Sequence, residues 1–422
     1  MAENVLYYGD NLDILRRYIP DESVDLIYLD PPFQSNQDYN VLFQERNGSR
    51  SAAQIRAFED TWRWDLESAR AYQEIVERGG DVSRVMQGLR SALDESDMMA
   101  YLAMMAPRLV ELRRVLKPTA SIYLHCDPTA SHYLKVLMDA VFGGGLLLNE
   151  IVWLRAQPKS HTRRRFSRAH DILLAYAKSQ RAAFNHQYKP HDPEYVRKFY
   201  KYVEPETGRR YRLGDLTNPN KNRPNLTYEF PPDGGTVRVW RWTRERMMKA
   251  WEEGRVVIPD GGGVAQGKRY LDEMKGTPIT DVWTDIEHLH GSQQERLGYP
   301  TQKPESLLER IIETSSRKGD LVLDPFCGCG TTVAVAHRLG RRWIGIDITH
   351  LAVTLMKYRL ESTFGAKVRN EFEVIGEPVS ISGAMALARE NPYQFQWWAL
   401  GLVGARPAEQ RKGADRGIDG RL

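Results

Sequence analysis

Leu26-Ile27-Tyr28-Leu29-Asp30-Pro31-Pro32-Phe33 is an apolar run of strand length that stops on a carboxylate, two prolines and an aromatic ring. Val24 to Leu29 carries the Val/Ile/Tyr/Leu bias of a strand covered on both faces. The prolines offer no N–H to a ladder, so Asp30 stands where strand becomes loop. In an open α/β sheet, ligands sit at the carboxyl ends of the strands. An acidic side chain, carbonyls stiffened by proline and the flat ring of Phe33 make a corner suited to a planar base with an exocyclic amine. Taken alone, the tetrapeptide reads equally well as a strand followed by a Pro-Pro turn.

Working outward, Val5 to Tyr8 predicts a short strand ending at Gly9-Asp10. Leu12, Ile14, Leu15 and Tyr18 predict a helix before the turn Pro20 to Ser23. Strand, helix and strand in succession indicate a parallel sheet, hence an α/β protein. Past a polar loop at Gln34 to Asn40, residues 46–97 mix charge with Trp62, Trp64, Tyr72 and Leu89, and are expected to be a helical insertion over or beside the corner. Met98 to Leu116 has apolar residues at helical spacing and is stopped by Lys117-Pro118; its Met-rich face is expected in the core. Ser121 to Asp127 predicts a buried strand with a polar end, and Asn149 to Trp153 and Ala169 to Tyr176 the last strands of the sheet.

The chain of 422 residues is long enough for two or three domains, and 41% hydrophobic with 27% charged content is ordinary for a globular protein. A net charge of +4 and a pI near 8.8 permit a polyanionic partner without requiring one. Three cysteines, Cys126, Cys327 and Cys329, argue against a disulfide framework and for a reducing, cytoplasmic setting. No export signal is expected at Met1 to Asn4, and Trp397 to Ala405 is too short to span a bilayer. No second Cys or His pair stands at zinc spacing from His125 and Cys126, so no metal is expected. A Pro-Cys nucleophile for covalent attack on a cytosine ring is absent.

Two stretches suit nucleic acid. Arg155 to Arg168 contains Lys159, Arg163, Arg164 and Arg165 and no acidic residue; joining two strands of the sheet, it is expected to meet phosphates rather than form a merely solvated face. Residues 181–289 are rich in charge, Pro, Gly and aromatic residues such as Phe199, Tyr202 and Trp240, which suggests a separate module with basic and stacking surfaces. Beyond it, Leu321 to Leu323 predicts a strand running into Asp324-Pro325-Phe326-Cys327-Gly328-Cys329-Gly330-Thr331-Thr332, followed by a helix and the strand Trp343 to Ile346 ending on Asp347. Small residues let a ligand approach the backbone, and an acid about 20 positions on can accept ribose hydroxyls. No Lys-Ser/Thr follows the glycines, which argues against a triphosphate loop.

Asp30-Pro31-Pro32-Phe33 resembles the catalytic motif of the amino-methylating DNA methyltransferases, and Asp324 to Thr332 resembles the cofactor loop of S-adenosylmethionine methyltransferases. The order of the parts, with the catalytic tetrapeptide first, the recognition module next and the cofactor loop last, resembles the β-type circular arrangement over most of residues 1–365. The resemblance implies a Rossmann-like, circularly permuted methyltransferase fold. It divides into catalytic parts at 1–45 and 98–180, a target-recognition domain at 181–289 and a cofactor-binding part at 290–370. It implies S-adenosyl-L-methionine near Asp10, Thr301, Lys303, Pro304, Asp324, Pro325, Phe326, Gly328, Gly330, Thr331, Thr332 and Asp347. For Asp10, capping of the following helix is an equal reading.

The implied chemistry is direct transfer of a sulfonium methyl to an exocyclic amine, whose two hydrogens Asp30 and the Pro31 carbonyl accept, with Phe33 stacking on a flipped base. In the family, Asp at the first position goes more often with adenine N6 than with cytosine N4. DNA is the implied partner, with a homodimer or a restriction-nuclease partner compatible; a DNA-recognition subunit and an RNA methyltransferase are the other readings. Residues 371–390 read as a linker, and 391–422 resemble the opening of an Mrr-type nuclease domain with Asp419 at its first metal acid. No Glu/Gln-x-Lys follows, so no cleavage is expected.

Overall fold

The computed structural model describes residues 3–32, 63–155, 164, 166–232, 234–259, 263–289, 295–297, 299, 301–378, 380–403, 406–407 and 420–421. Phe33, Lys159, Arg163, Arg165 and Asp419 lie outside the described residues. The chain forms two compact units, Met1–Asn185 with Thr280–Leu422, and His186–Ile279.

The first unit is built on a nine-stranded sheet. Its strands are β1 (Asn4–Tyr8), β2 (Val24–Leu29), β3 (Leu116–Cys126), β4 (Leu147–Leu154), β5 (His170–Ala177), β6 (Val282–Trp283), β7 (Leu321–Asp324), β8 (Arg342–Asp347) and β9 (Phe372–Ile375). Their order in space is β6-β4-β5-β3-β2-β7-β8-β1-β9. Every neighbouring pair is parallel except the two that involve β5. Hence β2 lies at the centre, and Val24, Leu26, Ile27 and Leu29 are fully buried, as a strand covered on both faces requires. β2 pairs directly with β7, Leu26 opposite Val322 and Ile27 opposite Leu323. This pairing joins segments from opposite ends of the sequence.

The helix Asp97–Val115 starts on Ser96, whose hydroxyl accepts from Met99 N, and buries Met99, Leu102, Met105, Leu109 and Leu112. The helices Leu66–Arg78 and Gly80–Leu93 carry Ile75 and Met86 into the same core. The described part of the 46–97 stretch is therefore a packed helical layer. Where Lys117-Pro118 was expected only to end a helix, β3 begins at once at Leu116, so the proline stands inside the strand.

Three boundaries differ from the sequence-based expectation. The recognition module is narrower than 181–289, because Val282–Trp283 adds to the sheet beside β4 and Trp283 and Ile286 are buried in the first unit. Residues 371–390 are not a linker: Phe372–Ile375 pairs with β1 as an edge strand, and Ile381–Glu390 is a helix capped by Ser380. The nuclease-like reading of 391–422 finds no support. Pro392–Leu402 is a helix of the first unit, with Trp397 buried and Gln394 accepting from His350 N.

The second unit holds a core of Leu216, Phe230, Trp240, Met247, Ala250, Val256 and Ala265. Part of its aromatic content is thus core rather than stacking surface, Trp240 included. Phe199 and Tyr202 remain exposed. Among the described residues, no helix is long and apolar enough to cross a membrane.

Candidate active site

Because β2, β7, β8 and β1 are parallel neighbours, Asp30, Asp324, Asp347 and Asp10 all leave the sheet along one rim. They line a single cavity of about 440 Å³, together with Pro31, Pro32, Thr301, Lys303, Pro325, Phe326, Gly328, Thr331 and Thr332. The diproline corner and the glycine turn therefore open onto the same space. Pro304 is buried at the N-cap of the helix Glu305–Ser315, and Gly330 precedes the helix Thr331–Arg338; neither lines the cavity.

Backbone geometry explains the turn. Gly328 and Gly330 have φ of +50° and +74°, a region in which side chains are strained. A Cβ on Gly330 would also lie 2.4 Å from Met356 Cγ. Gly328 N donates to Asp347 Oδ2 at 2.9 Å, while Thr349 N and Oγ1 both donate to Oδ1 at 2.9 Å. These bonds tie the end of β8 to the turn. Cys327 and Cys329 are buried fillers, and burial pushes both thiols up, away from nucleophilic reactivity.

The cavity is acidic. Burial, against bonds from Thr332 and Phe326 N, raises the Asp324 carboxyl to about 7, with the Asp30 and Asp347 charges adding to the shift. Burial also raises Asp347 to about 6 against its hydrogen bonds. The Lys303 ammonium pairs with Asp30 Oδ2, so this residue meets the acid-diproline corner, a contact its sequence position did not reveal. A space lined by the carboxyls of Asp10, Asp30, Asp324 and Asp347, with an exposed apolar Ile348 next to Asp347 and a turn open to close approach, suits a cationic nucleoside-like ligand.

Asp10 serves both readings. It lines the cavity, yet Oδ1 caps the helix Asn11–Tyr18 by accepting from Leu12 N and Asp13 N, and Oδ2 accepts from Arg108 at 2.6 Å. Two arginines were missed by sequence reasoning. Arg108 also bonds Asn11, whose amide donates to Pro325 O, so it links the rims of β1 and β7. Arg359, almost fully buried, donates to Thr331 Oγ1 at 2.6 Å and braces the glycine turn. Both sit on helices where nothing in their local pattern marks them. Of the basic stretch, Arg164 is exposed, Arg155 lies 3.6 Å from Asp171, and Arg168 donates to Thr129 Oγ1 and pairs with Asp127.

A mostly parallel nine-stranded sheet whose acid-diproline corner and glycine turn share one cavity is a Rossmann-like fold of the S-adenosylmethionine-dependent methyltransferase type. The DNA methylase family (N6_N4_Mtase) matches residues 24–357, and the chain belongs to it. It is 28% identical over 360 residues to the Type II methyltransferase M.EcaI of Enterobacter cloacae, covering 84% of this chain and 69% of that protein. It is 29% identical over 344 residues to the Mod subunit of the Type III restriction-modification enzyme StyLTI of Salmonella typhimurium, covering 78% of this chain and 49% of the subunit. The chain thus spans about half the length of that subunit. Among solved structures, the DNA modification methylase candidate TTHA0409 of Thermus thermophilus, complexed with S-adenosyl-L-methionine, matches at 16% identity and a TM-score of 0.43, covering 89% of this chain and 100% of that one.

Proposed function

We propose that this chain transfers a methyl group from S-adenosyl-L-methionine to the exocyclic N6 of adenine at a specific DNA site, within a restriction-modification system. The observation that carries this reading is the single cavity shared by Asp30-Pro31 and the Gly328 to Thr332 turn. The likeness to M.EcaI and to a Mod subunit supports the restriction-modification setting and a nuclease partner. The cavity's residues fit the methyl donor: Asp347 is assigned to the ribose, Asp324 to the amino-acid part, and Asp10 and Ile348 to the adenine end. When bound, the donor supplies an electrophilic methyl on a positively charged sulfur.

The chain's own residues then act on the target amine, a poor nucleophile while its lone pair is conjugated with the ring. Lys303 holds Asp30 Oδ2, and the amine N–H is assigned to Oδ1 with its second hydrogen on the Pro31 carbonyl. Accepting both hydrogens favours a pyramidal nitrogen with its lone pair free to attack. Flipping the base out of a duplex costs a few kcal/mol, and stacking on Phe33 offsets roughly 1–3 kcal/mol of it.

The test is to incubate DNA with purified chain and the methyl donor, digest it to nucleosides and identify the product by mass spectrometry. N6-methyladenine is expected. N4-methylcytosine would correct the base, and a labelled methyl found only in RNA, or in no nucleic acid, would reject the reading.

A further inference from the structure

Beside the catalytic corner, three adjacent strands carry a buried polar chain with no part in the transfer described above. Tyr28, on β2 two residues before Asp30, lines the same cavity. Its hydroxyl is 2.9 Å from His125 Nδ1 on β3, and His125 Nε2 is 3.2 Å from Asp171 Oδ2 on β5. Arg155, just past the end of β4, approaches Asp171 Oδ1 at 3.6 Å. Tyr28, His125 and Asp171 are 2%, 0% and 2% exposed. Buried polar groups are costly unless partnered, and a linked set becomes a defined path for hydrogen bonds.

The order of donors is fixed from the far end. Burial raises the Asp171 carboxyl, but the hydrogen bond from His125 and the nearby charges of Arg155 and Lys303 outweigh it and hold the group below its usual value. An ionised Asp171 accepts from His125 Nε2–H, which leaves Nδ1 facing the Tyr28 hydroxyl as its acceptor. Burial, with the carboxylates of Asp30, Asp324 and Asp171, pushes Tyr28 well above its usual range, so the phenol keeps its proton unless another arrives at the oxygen. The charged groups facing the chain are Asp30 and Asp324 around Tyr28, and Arg155 and Lys303 around Asp171.

We propose that Tyr28 is a catalytic proton carrier: its oxygen takes a proton from the methylated amine while its own proton passes to His125, with Asp171 stabilising the imidazolium. This rests on the methyl-transfer reading. The methylated nitrogen holds one proton more than the neutral product. Its N–H bond breaks as an O–H bond forms on Tyr28, and the original Tyr28 O–H bond breaks as an N–H bond forms on His125 Nδ1. Tyr28 ends as a neutral phenol, the single positive charge ends on His125 against Asp171, and one proton leaves to water to restore the resting chain. Asp30, paired with Lys303, is left to orient the amine.

The experiment uses the full chain, unmethylated genomic DNA as acceptor, and 15N-histidine NMR of the protein without the methyl donor. Tyr28→Phe and Asp171→Asn are expected to lower kcat about 10²-fold, and Tyr28→Phe to lose the acid limb of the native kcat–pH profile, while donor affinity by calorimetry is unchanged. The His125 signals, identified by their loss in His125→Gln, should show a proton on Nε2 and none on Nδ1 at the pH of maximal activity. They should shift in Tyr28→Phe. Native kcat and an intact acid limb in Tyr28→Phe, or a protonated Nδ1 in the native protein there, would overturn the relay. A native chain that methylates neither base would remove the function reading and the relay with it, and native activity alone tells these failures apart.

Discussion

Asp30 lines the cavity, and its proposed role can be separated by mutation from the hold on the glycine turn. It is paired with Lys303 at the rim of β2, while the glycine turn is held by other groups, Asp347, Thr349 and Arg359. Asp30→Ala is therefore expected to cut methyl transfer by at least about 10²–10³-fold, the usual cost of losing an oriented electrostatic partner. Donor binding by calorimetry should survive; retained turnover would remove Asp30 from its role. Asp324 and Asp347 bear on pH instead. Their raised values, about 7 and about 6, mean that the folded chain holds protons that an unfolded chain has lost. The stability so contributed is fully present below the ordinary carboxylate range and is lost as pH rises through 6 and then 7. A cationic ligand favours the ionised forms, so donor affinity should rise across that same window with proton release. Calorimetry in buffers of different ionisation enthalpy measures this, and an affinity flat from about pH 5 to 8 would contradict it.

At the scale of elements, the glycine turn is rigid because two constraints meet at Gly330: a left-handed φ and the Met356 side chain. Gly330→Ala is expected to destabilise the chain by about 1–3 kcal/mol. Gly319→Ala is the control, since Gly319 has φ +85° but nothing within 4 Å of an added Cβ. Denaturant unfolding should rank Gly330→Ala as the costlier; equal losses would show that Met356 yields freely. This turn and β2 were legible in the sequence because both announce themselves locally, one by small residues after a strand, the other by an apolar run ended by proline. The edge strand β9 was not. Only one side of an edge strand must be paired and its flanks stay wet, so Glu371, Glu373 and Glu377 gave a polar composition that reads as linker. Arg108 and Arg359 were hidden for a different reason: their partners lie on other elements, and no periodicity along one helix encodes a partner elsewhere.

For the whole molecule, permutation is what the sheet order makes physical. Strand β2, carrying Asp30 at its end, precedes β7 and β8 by most of the chain, yet all three are neighbours in the sheet, so the cavity exists only once distant segments have paired. The resemblance of two motifs in that order made this arrangement readable. Which residues of His186–Ile279 form its exterior was not readable, because basic and aromatic residues serve both its own core and its surface. The proposal that the basic stretch meets phosphates can be tested arginine by arginine, according to what each already touches. Arg164 is exposed, and Phe166 two residues on is fully exposed, whereas Arg168 is engaged with Thr129 and Asp127. If Arg164 neutralises a phosphate, Arg164→Ala should flatten the log–log salt dependence of DNA binding by about 0.9, with a smaller change for Arg168→Ala. Arg155→Ala should differ in kind, lowering kcat as well, because that guanidinium also faces Asp171. Fluorescence anisotropy across a salt series measures the slopes, and an unchanged slope in Arg164→Ala would take the basic stretch out of the phosphate contact.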